Sequence, residues 1–514
     1  MNMAKSLLFG TAASLIALTG AEAADLPVKA KAVEYVKVCS LYGAGFWYIP
    51  GTDTCIRIGG AVRVDTAFNG NTFDAPFWQG GSGASKAYGR DWYTTRSRFN
   101  LTEDTRTATE YGVLRTFANL QMDWKRGDSG ISGGNPVEVD FAFIQFAGFT
   151  FGKAVSQFDP QWALAKPYIS SGFNAGSNNS TGINQLSYTA TFGNGVSGSI
   201  SLEDAQPYRT AGLVNTSFNF IAPWQANSLP SGTYGTGNFT GNAVAGDHVP
   251  DVVGNLRLDQ AWGSLHFGAA AHEVHGTYYT STDGGTGHPG ATYGYAVNGA
   301  FELKNLPTGS NDSLKVEAGF AHGAAKYVFG GTIDSSGAGR YAAASGSNGG
   351  TMAFGSVLDG VYSGTTAATG TSINLSNAWE VTAFYEHYWN PAWRTSVFGN
   401  YSEISYGRTG SAALIAALST IGGVGPTTGH FVATPGTDGG SMKFATAQVG
   451  TKTSWTPVKD LTFSGEFIYT RLVNNLNGTF VTNAGGVPGA AAGTSYTMGS
   501  QNIYNGAVQV LRSF

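Results

Sequence analysis

The stretch Cys55 to Phe68 reads CIRIGGAVRVDTAF, with Ile56, Ile58, Val62, Val64 and Phe68 on one parity and Arg57, Arg63 and Asp65 on the other. A strand turns successive side chains to opposite faces, so this segment makes a strand with one oily and one charged face. The alternation then recurs. Tyr93, Thr95, Phe99 and Leu101 oppose Arg96, Arg98 and Asn100, and Leu114, Thr116, Ala118 and Leu120 oppose Arg115, Asn119, Gln121 and Asp123. Later examples are Leu265 to Ala271, Tyr293 to Leu303 and Leu461 to Tyr469, and a last strand runs from Tyr504 to Phe514. Sixteen such segments can be counted. The parity blurs in the fourth and fifth, between Val137 and Val155, where Phe141, Phe143, Ile144 and Phe146 crowd together.

A strand of this kind divides either lipid from water or a core from solvent. Only 12% of the 514 residues are charged, and Gly, at 74, is about twice as frequent as in an ordinary soluble protein. Aromatics at 13% with a net charge of -4 exclude a disordered chain. No run of Lys and Arg offers a nucleic-acid surface. The first residues carry Lys5, an apolar stretch from Leu7 to Leu18, and Ala21-Glu22-Ala23, the pattern of a signal peptide cut after Ala23, which gives a leader over residues 1–23. That apolar stretch is shorter than the roughly 20 residues a spanning helix needs. The only later candidate, Ala412 to Leu418, is shorter still. A mature chain that crosses a membrane without such a helix crosses it as a closed barrel. Export to an oxidising compartment makes a disulfide the default state of Cys39 and Cys55, the only cysteines.

The connections sort by length. Short links, among them Glu103 to Thr109, Gly193-Asn194-Gly195, Ala261-Trp262-Gly263, Trp389 to Ala392 and Thr456 to Lys459, alternate with long stretches rich in Gly, Ser, Asn and Thr. The long ones include Asn69 to Arg90, Ser156 to Gly182, Asp204 to Pro250, Gly323 to Leu375, Gly407 to Gly440 and Asn474 to Ser500. Tight turns at one end and long loops at the other describe an all-β, antiparallel transmembrane barrel with short periplasmic turns and long extracellular loops. The expected organisation is a periplasmic segment over 24–54 and one barrel over 55–514. Trp262, Trp389, Trp393 and Trp455 at the short turns, with Trp92, Trp124, Trp379 and Tyr406 at the other end, read as two interfacial girdles.

Catalytic patterns fail on inspection. Gly193 to Gly198 matches GxGxxG, but it sits in a hairpin and opens no helix. His272-Glu273-Val274-His275 puts its histidines on opposite parities of a strand, where they cannot easily share a metal. No serine, histidine and acid share a recognisable frame. No cofactor, metal site or catalytic residue is therefore expected.

Charge on the inward parity remains. Arg57, Arg63, Arg96, Arg98 and Arg115 fall on three neighbouring strands as a basic wall, whereas the rest of the inward set is mixed or acidic: Glu203, Asp259, Glu302, Glu317, Glu380, Glu386 and Glu466 with Lys315, Arg394 and Lys452. Fixed charges set ion selectivity where a pore is narrow. Sixteen strands enclose an aqueous channel, which something must narrow if solutes are to be sieved. The third long loop, Ser156 to Gly182, is the candidate, folded into the lumen with Asp159, Trp162, Lys166 and Tyr168 facing the basic wall. The alternative is an ordinary surface loop.

The run Tyr42 to Gly60, YGAGFWYIPGTDTCIRIGG, resembles the N-terminus of alphaproteobacterial, rhizobial-type outer-membrane porins. Phe141 to Lys153, FAFIQFAGFTFGK, and the terminal Phe514 resemble that family too. The resemblance covers both ends and the strand pattern but not the long loops. It implies a sixteen-stranded, usually trimeric barrel in the Gram-negative outer membrane, among lipid and lipopolysaccharide. It further implies passive diffusion of small hydrophilic solutes and ions, a constricting third loop, and an assembly machinery that reads Phe514. General porins set several loop acids against the arginines. Here the loop offers only Asp159, which favours anion preference. The expected function is a general-diffusion porin. A substrate-specific channel and an outer-membrane barrel hydrolase stay open as alternatives.

Overall fold

The computed structural model describes residues 37–69, 93–125, 137–163, 165–169, 173–174, 176–177, 181–204, 211–217, 243–280, 283–329, 340–420, 429–482 and 490–514. The leader read over 1–23 and the girdle residue Trp92 lie outside them.

Sixteen antiparallel strands close into one barrel. They are β1 (Cys55–Phe68), β2 (Tyr93–Thr109), β3 (Gly112–Lys125), β4 (Glu138–Phe146), β5 (Phe149–Ala154), β6 (Ile183–Gly193), β7 (Val196–Glu203) and β8 (Asp251–Gln260). There follow β9 (Gly263–Val274), β10 (Thr292–Lys304), β11 (Ser313–His322), β12 (Asn377–Asn390), β13 (Trp393–Ser405), β14 (Gly440–Val458), β15 (Leu461–Leu476) and β16 (Gln501–Ser513). Each strand pairs with the next, and β16 returns to β1 in register from Ala61 opposite Ser513 to Phe68 opposite Gly506. Phe514 extends this seam, donating its N–H to Gly60 O at 3.0 Å and accepting from Gly60 N at 3.1 Å. Closure leaves no unpaired edge, which a lipid environment demands.

The alternation read from the sequence is the inside and outside of this barrel. On β1, Ile58 is 50% and Val64 47% exposed, whereas Asp65 is 1%. Trp262, Trp389, Trp393 and Trp455 all point outward at the short-turn end, with Trp124 and Trp379 outward at the other. Tyr406 departs from the expected girdle. It is buried, its hydroxyl donating to Ser356 O beneath the long loops.

Turn chemistry follows the sequence. Asn194 and Gly195 both take positive φ, 50° and 79°, the two-residue hairpin that matches strand twist. A Cβ on Gly195 would lie 2.0 Å from Asp259 O, so only glycine fits. The first short link, expected from Glu103 to Thr109, is instead strand. β2 runs to Thr109 and the turn is Glu110-Tyr111, because Asp104 and Arg106 continue the inward parity, Asp104 pairing with Arg57 on β1 and Arg115 on β3 as well as with Arg106 beside it. A bulge explains the blurred parity farther on. Asn119 pairs with Phe141 but Leu120 with Val139, so Asp140 is one extra residue and the oily parity of β4 flips there. Phe141 and Phe143 are thereby turned inward onto Phe117, at 6.4 and 5.3 Å between ring centres.

The long loops are more structured than their composition suggests. Arg340–Ala344, Gly350–Ser356, Ser495–Met498, Gly478–Val481 and His430–Ala433 form a five-stranded sheet, and Asn374–Leu375, Leu358–Tyr362 and Gly212–Asn215 a three-stranded one. A helix, α1 (Gly407–Thr420), stands where the sequence reads as loop, and contains the short apolar run Ala412 to Leu418. Leu414 and Leu418 are buried with Tyr341, Phe354, Phe431, Phe480 and Tyr496 in a core that also takes Ile404, Phe444 and Leu472 from the barrel. At the opposite end, Cys39 and Cys55 form a disulfide, pinning a hook in which Trp47–Tyr48 pairs with the start of β1.

Candidate functional site: the charged lumen and the loop that crosses it

The ladder places the predicted basic residues side by side. Arg63 on β1 is opposite Arg98 on β2, Asp65 opposite Arg96, and Arg98 in turn opposite Asp123 on β3. Asp65 binds Arg63 Nε at 2.7 Å and Arg96 Nη2 at 2.7 Å, and accepts from Gln509 of β16 at 2.9 Å. Arg98 makes a two-pronged contact with Asp123, both bonds 2.6 Å. Nearer the short turns, Arg115 grips Asp104 through two bonds of 3.0 Å, Arg106 holds the same carboxylate at 2.9 Å, and Arg57 lies 3.7 Å from it. Among the described residues, six guanidiniums, those of Arg57, Arg63, Arg96, Arg98, Arg106 and Arg115, thus share three carboxylates.

The predicted arginines are therefore adjacent, but the wall is laced rather than bare. Arg106, Asp104 and the pairing of Asp123 were legible only in part. Asp104 and Arg106 lie in the segment that reads as a turn, and alternation alone does not say which inward acid faces which arginine across the ladder. Arg57 and Arg106 also pack over the Phe46 ring, at 4.9 and 5.0 Å, so the disulfide-pinned hook buttresses this end of the wall.

The third loop reaches from β5 across to the far strands. Its root is tied by Glu203 of β7, which accepts from Ser156 Oγ at 2.7 Å and from Gln157 N at 2.8 Å. Phe158 O then accepts from His266 of β9 and Asn298 of β10, at 2.8 and 2.9 Å. Farther along, Pro167 O accepts from Ser396 of β13 at 2.9 Å, Ile169 N donates to Glu466 of β15, and Asn174 N donates to Gln448 of β14 at 2.8 Å. Gly176, with φ +63°, passes over the Glu317 carboxylate of β11 so closely that a Cβ would lie 2.6 Å from Oε1. Among the described residues, the loop meets the arginine wall where Arg63 Nη2 donates to Ile169 O at 3.1 Å.

The four predicted loop residues divide. Trp162 and Tyr168 are anchors, packed on Phe384 at 6.0 and 6.1 Å, with Tyr168 also 5.2 Å from Phe173 and 6.0 Å from Phe398. Asp159 is buried, accepts from Ser177, and has Glu317, Lys166 and Glu203 as its charged surroundings. Burial pushes its carboxyl up to about 7, against the Ser177 hydrogen bond, which favours the charged form. Lys166 lines a cavity of about 280 Å³ beneath the loop. Trp162, Lys166 and Tyr168 are set against β10 to β14 and Asp159 lies between Glu203 of β7 and Glu317 of β11, while among the described residues the arginine wall meets the loop through the Ile169 carbonyl. Apolar inward residues, Ala300, Phe384, Phe398 and Ile468, made the far side adhesive.

A closed barrel of this strand count, crossed by its third loop, matches a described family. The porin subfamily pattern covers residues 25–507, nearly the whole chain. The chain belongs to the porin family. Among relatives, Porin Omp2b of Brucella suis biovar 1 and Porin Omp2b of Brucella abortus are each 35% identical to the porin over 273 residues, which is 52% of this chain and 64% of the relative. The chain thus spans just under two thirds of the length of these curated relatives. Among solved structures, the outer membrane channel DcaP of Acinetobacter baumannii shares the fold at a TM-score of 0.54 and 14% identity, over 91% of this chain and 99% of that one. The porin lies in the outer membrane of a Gram-negative cell.

Proposed function

We propose that this porin is a general-diffusion channel, carrying small hydrophilic solutes and ions down their gradients with no covalent step. The observation that carries this reading is the closed barrel crossed by a loop pinned to its far wall, with ion-paired charge along the other wall. Such an arrangement narrows a water-filled lumen without closing it. Arg57, Arg63, Arg96, Arg98 and Arg115 serve as the pore-lining wall, and Trp162 and Tyr168 hold the loop that Lys166 and Asp159 decorate. The family, and the name Porin borne by the Brucella relatives, support the channel reading over an enzymatic one. The working form is a homotrimer embedded in lipid and lipopolysaccharide, inserted by an assembly machinery that reads Phe514. Residues 1–23 act as the export leader and 24–54 as a periplasmic segment.

Liposome swelling tests this reading. Neutral sugars of increasing size should enter at rates that fall smoothly with size and show no saturation. A saturable rate confined to one sugar would contradict a sieve.

A further inference from the structure

The cavity beneath the crossing loop lies on the short-turn side, since Ser313 opens β11 and Arg394 stands one residue into β13. Lys166, Lys315, Glu386, Tyr388, Arg394 and Lys452 line it, four cations against one carboxylate. Its roof is the loop backbone at Ala165 to Pro167, held by Lys315 Nζ donating to Ala165 O at 3.2 Å and by Ser396 Oγ donating to Pro167 O at 2.9 Å. Side chains from β11, β12, β13, β14 and the loop therefore converge on a space of about 280 Å³.

Lys315, Arg394 and Lys452 are held less closely by carboxylates than the arginines of the wall are, Arg57 apart. Lys315 lies 3.8 Å from Glu302, a carboxylate it shares with Lys304 at 3.3 Å. Arg394 lies 3.6 Å from Glu386, which also accepts from Tyr388 OH at 3.2 Å. Lys452 has no carboxylate within 4.0 Å among the described residues, and Glu466, opposite it on β15, is engaged by Ile169 N. Every guanidinium of the wall named above except Arg57, by contrast, holds a carboxylate at hydrogen-bond distance. A cleft lined by one sign of charge and walled by protein focuses its field and concentrates counter-ions.

We propose that this cavity is a binding subsite for small oxyanions, solutes bearing a phosphate or carboxylate group, and that its lysines and Arg394, more than the arginine wall, set the anion preference of the pore. Ammonium groups hold phosphate as point charges and a guanidinium grips it through two bonds, so this mixed set suits an oxyanion. The volume falls at the low end for ligand pockets and fits a small anion rather than a nucleotide. The inference rests on the channel reading above and names the solute class that this part of the pore favours.

Reversal potentials in planar bilayers, with inorganic phosphate as the added probe, test it. The porin should prefer chloride to potassium, and phosphate should lower the chloride current in a saturating manner. The combined change Lys315→Gln, Arg394→Gln and Lys452→Gln should reduce the chloride-to-potassium permeability ratio by roughly threefold or more and abolish the saturation. Lys452→Gln alone, which breaks no close ion pair, should move the ratio in the same direction and keeps the test open if the triple variant does not insert. Channels of ordinary conductance whose ratio and phosphate response are unchanged by these substitutions would overturn the subsite while leaving the channel intact. Wild-type protein without conductance would instead overturn the channel.

Discussion

At the scale of single residues, the lumen is governed by how charges are shared. Asp65 is buried, and it joins Arg63, Arg96 and Gln509, that is, β1, β2 and the closing strand β16. Asp65→Asn takes from Arg96, only 3% exposed, the carboxylate it holds at 2.7 Å. Breaking such a pair by removing one partner costs about 3 kcal/mol, so the urea midpoint of the folded barrel should fall clearly, whereas an unchanged midpoint would show that water replaces the carboxylate. Asp159 makes a second prediction. Its carboxyl holds a proton up to about 7 in the fold but only to 3.8 in its ordinary state. Between those values the folded loop binds more protons than the unfolded chain, so its anchoring weakens as pH rises through that window and the loss, at most about 4 kcal/mol, is complete above 7. Protease protection of the loop should accordingly be greater at pH 5 than at pH 8, and Asp159→Asn should remove the difference.

At the scale of elements, the crossing loop is held by aromatic packing as well as by hydrogen bonds to Glu203 and Glu466. Phe173 is fully buried between Tyr168, Phe384 and Phe398. Phe173→Ala should cost about 3 to 5 kcal/mol of packing and loosen the loop, seen as higher and noisier single-channel conductance; a quiet, unchanged conductance would locate the anchor elsewhere. The N-terminal hook is a separable element. Cys39→Ser with Cys55→Ser removes a bridge across 16 positions, whose chain-entropy contribution is about 3 kcal/mol, and should lower thermal stability without altering conductance. The sequence was most readable where one rule governs, as in the period of two along β1 or the Asn194-Gly195 turn. It misled where inward charge imitated a turn at Asp104 and Arg106, and it blurred where a single bulge residue, Asp140, reversed the parity. The loop's destination was hidden for another reason. Its partners, Phe384, Phe398, Thr446 and Gln448, lie more than 200 residues away, and nothing local in Ser156 to Gly182 specifies them.

At the scale of the whole molecule, the strand count and the closure through Phe514 follow from period, turn spacing and the requirement that a barrel have no edge. The packed loops do not follow in the same way. Glycine and serine in Gly323 to Leu375 carry weak local preference, whereas α1 is rich in the helix formers Ala and Leu, and packing against Ile404, Phe444 and Leu472 gives these elements their core. The central claim is that this barrel conducts through a lumen narrowed by its third loop. Single-channel recording of the folded porin in planar bilayers tests it most directly. Discrete, ohmic conductance steps are predicted, and they should grow when residues 165–177 are shortened to a glycine linker. A folded barrel that inserts but gives no steps, or steps indifferent to that deletion, would contradict it.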